Sequence, residues 1–143
     1  MTDELYTRLT VVQKKRAQIR SAESDLRTMR ELMLSAKSAR CDAERVQSTP
    51  RDPLSDYEAR KEAQQKKIDA LRDELLEVAR AEIALIRRTS RPEYAEVLIG
   101  MYVKGASAAV IAKQIGYSEN SVWRFRRQGI AELEQIVAKD ESD

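Results

Sequence analysis

A chain of 143 residues, 35% charged and 5% aromatic with four Gly and three Pro, has room for one domain or a small domain with an extension. That composition suits long solvated helices and excludes a sheet-rich core. With no His and the single Cys41 there is neither a usual zinc site nor an intrachain disulfide, and no Gly-rich phosphate loop or Ser/His/Asp set is present, so the sequence implies no enzyme, no metal and no cofactor.

Residues 3–43 contain neither Gly nor Pro, and Leu5, Val12, Ile19, Leu26 and Met33 recur every seven residues. Arg8, Lys15, Ala22, Met29 and Ala36 hold the companion position three residues later, a seam weak at its start and better from Ile19 to Ala36. A stripe this narrow needs a partner. The stretch 47–53, with Pro50 and Pro53, is the expected break, since each proline removes an N–H donor and pushes its predecessor out of helical geometry. A second long helix then spans about residues 54–88. Tyr57, Gln64, Leu71, Val78 and Leu85 give its repeat, joined by Ile68, Leu75, Leu76, Ile83 and Ile86. Two long helices with a short break between them predict an antiparallel hairpin. The apolar end of the second helix would lie beside the weak start of the first. Its surplus face, residues 75–86, therefore calls for packing on the C-terminal helices or on a second subunit.

Pro92 restarts the chain in the first turn of a new helix, with Tyr94, Val97, Leu98, Met101 and Tyr102 on one face and Lys104-Gly105 at its end. Ser107 is placed to cap the next helix. Residues 108–127, AAVIAKQIGYSENSVWRFRR, read as two short helices joined by a tight turn. Ile111 and Ile115 are apolar at i and i+4, and Ala112 is small where the helices meet. Gly116 stands where a left-handed backbone is needed, Tyr117 at the corner and Ser118 at an N-cap. Val122 and Phe125 close the core, and the last helix continues through Leu133 to Val137.

On that last helix the face opposite Val122 and Phe125 presents Asn120, Arg124 and Arg127, side chains that pair with adenine (Asn) and guanine (Arg) edges in a major groove. Ser118 and Glu119, at the helix start, are within reach of base edges or a phosphate, and Arg126 and Lys113 are candidates for phosphate contact. Trp123 lies at the edge of the apolar face, and both packing and a base contact remain open for it. The charge distribution points the same way. Residues 88–127 carry a local +4 and residues 128–143 a local −4, although the whole chain is only +2. A solvated face in a protein-binding module is the plain alternative.

Residues 92–134 resemble the region-four DNA-binding module of bacterial sigma factors. The resemblance rests on Tyr102 and Gly105 at a helix end, the Ile111-Ala112 pair, the turn Gly116-Tyr117-Ser118, Val122 four residues on, and the basic helix that follows. The layout, a long coiled N-terminal region before this module, is similar to small phage and prophage regulators of the ArpU and RinA late-activator type. Val110 departs from the acidic residue that often precedes the Ile-Ala pair, which removes the ground for a polymerase-contact role at that position. Nothing resembles a promoter-melting segment.

The expected fold is all-α: a coiled-coil hairpin over residues 1–90, then a helix-turn-helix domain over residues 91–143. The expected function is sequence-specific binding of double-stranded DNA by a phage-type transcription regulator, with residues 119–128 as the recognition helix. It would act as a homodimer through the N-terminal helices, with RNA polymerase as a further candidate partner. The alternative is a small terminase-like subunit of a DNA-packaging complex. No apolar run approaches the ~18 residues of a membrane span, and residues 1–5 are acidic rather than signal-like, so the expected setting is the cytoplasm.

Overall fold

The computed structural model describes residues 1–42 and 53–142, with side chains for 1–36 and 54–142, and among these the regular structure is entirely helical. The segment 43–52, which holds the expected break except for Pro53 at the start of α2, and the side chain of Cys41 lie outside the described residues. The helices are α1 (Asp3–Asp42), α2 (Pro53–Ile86), α3 (Pro92–Leu98), α4 (Ala108–Ile115) and α5 (Glu119–Ser142). Directly after α3 the chain widens into one π-helical stretch, Ile99–Val103, marked by the Lys104 N–H bonding to the Ile99 carbonyl at 2.9 Å. The sequence implied a plain helix to Lys104. The wider turn carries Gly100 against Ile111, where a Cβ would come within 2.9 Å of the Ile111 side chain. No described helix is long and apolar enough to cross a membrane.

The chain divides into two compact units, Met1–Lys15 with Leu75–Asp143, and Arg16–Glu74. Both long helices contribute to each. In the second unit the interior is thin. Ile19, Ala22 and Ile68 are buried, while Leu26, Met29, Met33, Tyr57 and Leu71 are only half covered. Gln64, a polar residue in the apolar repeat, donates from Nε2 to the Ala22 carbonyl at 2.9 Å, so its amide is not stranded. Arg72 reaches Glu23 at 2.8 Å. Leu32 and Leu34 stay 65% and 58% exposed, so this unit leaves apolar surface uncovered.

The first unit holds the larger core. Leu5, Leu9 and Val12 of α1 and Leu85 and Ile86 of α2 pack with Ala95, Leu98, Ile99, Val103, Ile130, Leu133 and Val137. The surplus face of α2 is thus covered, in part, by the C-terminal helices. Each fully buried Leu, Ile or Val contributes roughly 1.5–3 kcal/mol, which makes this cluster the main source of stability. The register of α1 differs from the sequence expectation at one place. Leu9, four residues after Leu5, faces the core, and Arg8 is exposed. A helix alternates three- and four-residue steps along a buried stripe, and burying Leu9 spares a guanidinium from desolvation.

Polar contacts tie the same helices together. Gln13 donates from Nε2 to the carbonyls of Tyr102 and Val103 at 3.1 and 3.3 Å, closing the end of the π-helical stretch. Beyond α2, Arg88 grips Asp140 with two nitrogens at 2.6 and 3.0 Å, and this contact holds the Asp140 carboxyl below the usual range. Ser90 donates from its backbone N–H and its hydroxyl to Glu132, both at 2.8 Å.

Candidate nucleic-acid interface

The α4–α5 element is built by local chemistry. The Ser107 hydroxyl accepts from the Val110 N–H at 3.3 Å and caps α4. Gly116 ends α4 at φ +76°, with its N–H on the Ala112 carbonyl at 3.0 Å, and a side chain would be strained at that angle. Ser118 caps α5 by accepting from the Ser121 N–H at 3.2 Å, while its own proton goes to the Ser121 hydroxyl at 3.0 Å. Beneath the turn Ile111, Ala112, Val122 and Phe125 close a second small core with Tyr94 and Val97. Tyr117 covers the corner edge-on to Phe125, ring centres 4.9 Å apart, and its hydroxyl donates to Glu93 at 3.4 Å.

The first turns of α5 therefore have a fixed inner row and a fixed outer row. Val122, Phe125 and Gly129 point inward and are buried. Gly129 lies so close to α3 that a Cβ would meet Leu98 at 2.9 Å. Asn120, Trp123, Arg124 and Arg127 each stand three or four residues from two others of the set, and all are exposed. Ser118, Glu119 and Lys113 are exposed beside them. Among the described residues none of Lys113, Arg124 and Arg127 is ion-paired, so these cations face solvent uncompensated.

Four side chains have partners that sequence spacing did not reveal. Arg124 sets its guanidinium 5.2 Å from the centre of the Phe125 ring, and Arg91 approaches the same ring at 5.5 Å. These contacts hold two cations near the turn at little conformational cost. Arg126 is half buried and donates to the Tyr102 hydroxyl from Nε at 3.2 Å and Nη2 at 2.9 Å. Trp123 is 46% exposed, with Arg126 5.9 Å from its ring centre, so it is not part of the core. The Arg126–Tyr102 pair joins residues 24 apart and was hidden because it depends on how the π-helical stretch sits beside α5.

The chain matches no family model, no curated protein and no solved structure.

Proposed function

We propose that this protein binds double-stranded DNA sequence-specifically as a transcription regulator of the phage and prophage type, with α4 and α5 as a helix-turn-helix and residues 119–128 in the major groove. The observation that carries the reading is the exposed face Asn120, Arg124 and Arg127, opposite the buried row on the same helix, with Trp123 exposed at its edge. Arg124 and Arg127 read guanine, Asn120 reads adenine, and Trp123 offers an apolar surface to a thymine methyl. Ser118 and Glu119 lie at the helix start, close to the backbone. Lys113 contacts phosphate, and Arg126 does so through the donors not engaged by Tyr102. In this reading α1 and α2 form the antiparallel hairpin through which two copies pair, and RNA polymerase is a further partner.

The test is a binding panel on a duplex selected from a random pool. Arg124→Ala and Arg127→Ala should each cost about 1–3 kcal/mol at particular base positions and flatten discrimination there. Lys113→Ala should weaken all duplexes alike and reduce the salt slope by about 0.9 for the lost phosphate contact. Uniform losses from all three variants would refute sequence reading, and no retention of any duplex at low salt would refute DNA binding itself.

A further inference from the structure

Away from the α4–α5 element, one buried group has no counterpart. Glu82 of α2 is 4% exposed, and neither carboxylate oxygen has a hydrogen-bond partner. It lines a cavity of about 230 Å³ together with Val78, Ala81 and Leu85 of α2 and Thr7, Arg8 and Val11 of α1. Most of that wall is aliphatic, and the Thr7 hydroxyl already donates to the Asp3 carbonyl at 2.9 Å. Burial pushes the Glu82 carboxyl up to about 8. An unpartnered carboxylate in such surroundings either takes up a proton or is matched by a cation.

Arg8 is the other ionisable residue lining the cavity, yet it does not pair with Glu82. Its charge instead acts on α5: it adds to the Arg88 contact that holds the Asp140 carboxyl down, and it opposes the neighbouring Glu4 carboxyl, which with burial pushes Glu141 up. Arg8 is held between two demands, and Glu82 is the one left unmet.

We propose that this cavity binds a small organic monocation, an alkylammonium or alkylguanidinium of a few carbons, whose charged head pairs with Glu82 and whose chain lies on Val11, Val78 and Leu85. Size supports the class. Sites for drug-sized ligands run to roughly 300–1,000 Å³, so this smaller space suits a handful of heavy atoms. Chemistry narrows it further. A divalent metal needs several oxygen ligands, and here one carboxylate stands among aliphatic groups. An anion would meet Glu82, and a neutral apolar molecule would leave the carboxyl unpaired. Arg8 acts as the internal competitor at the rim.

The experiment uses the full chain and n-butylammonium chloride, with n-butanol and sodium chloride as controls. Calorimetry at pH 7 in two buffers of different ionisation enthalpy reads both affinity and proton release. One saturable site is expected in the millimolar range or tighter, with close to one proton released per cation because Glu82 must ionise to pair. Neither control should bind. Glu82→Gln keeps the shape without the charge and should weaken binding at least tenfold, while Arg8→Ala should tighten it several-fold. Unchanged affinity in Glu82→Gln, binding without proton release, or no saturation would each overturn the proposal. Self-association that depends on Glu82, with no response to butylammonium, would also overturn it and assign the carboxylate to a basic side chain of a second copy. The proton count and the Arg8→Ala result are read in chains that keep Glu82, so they decide the matter even if Glu82→Gln folds poorly.

Discussion

Leu9 offers the sharpest test of how the first unit is built. It is 0% exposed and shares a cluster with Leu85, Ile86, Leu98, Ile99 and Leu133, drawn from α1, α2, α3, the π-helical stretch and α5. Leu9→Ala removes the branched end of the side chain and leaves a void that rigid neighbours fill only in part. Losses at such sites run to about 2–5 kcal/mol, a large share of the ~5–15 kcal/mol that holds a domain together. Leu32→Ala is the control. Leu32 is 65% exposed, and its loss should stay within roughly 0.5 kcal/mol. Urea unfolding should be followed by circular dichroism for total helix and by fluorescence of Trp123, the chain's single tryptophan, for α5. Leu9→Ala should move the Trp123 transition to lower urea, and Leu32→Ala should leave it in place. If Leu9→Ala lowers the helical signal while the Trp123 transition stays put, the start of α1 is not part of the core under α5, and the reasoning fails.

Three further outcomes follow from the same geometry. Gly116→Ala should cost about 1 kcal/mol in thermal or urea unfolding, because φ +76° disfavours a Cβ although no atom lies within 4 Å of it. Ser118→Ala should lose about 0.5–2 kcal/mol and loosen the first turn of α5, seen as faster amide exchange at Ser121. Glu82 binds its proton more tightly folded than unfolded, so the stability it allows should fall as pH rises from the ordinary carboxylate range towards about 8. At about 1.4 kcal/mol per pH unit that fall is capped near roughly 5 kcal/mol. Glu82→Gln should flatten urea midpoints compared at pH 5 and pH 9, and an unchanged slope would refute the burial argument.

The α4–α5 element was legible in the sequence because its determinants are local. Ser107, Gly116 and Ser118 act within four residues of their own position, and Ile111, Val122 and Phe125 fall at plain helical spacing. Periodicity alone set Val122 and Phe125 inward and Asn120, Arg124 and Arg127 outward, but it left open Trp123, which is 46% exposed. Across the long helices less could be read. The heptad positions Leu5, Val12 and Ile19 are buried as their spacing implied, but the companion position belongs to Leu9 and not to Arg8. A residue's neighbour across the core decides that choice, and the neighbour is far away in sequence. Glu82 gave no signal either, since an acidic residue among many charged ones on a long helix looks solvated until its surroundings are known. The pairing of Arg126 with Tyr102 was hidden for the same reason. A boundary at residue 90 follows from the proline-led restart at Pro92, whereas the compact unit takes in residues 1–15 as well as 75–143.

That composite unit has a consequence for how the protein acquires its structure. Leu5, Leu9 and Val12 cannot reach Leu133 and Val137 until α5 has left the ribosome, and everything between them must be spanned first. Helices form within microseconds, but closing so long a loop delays the contacts that reward it. During synthesis the start of α1 therefore waits with three apolar side chains uncovered, a period in which chaperone capture or association with another nascent chain competes with folding. The same delay makes α5 the element that closes this core. Truncated products lacking Leu133 and Val137 would leave Leu5 and Leu9 without those partners, and proteases would find them before they found chains with the core closed.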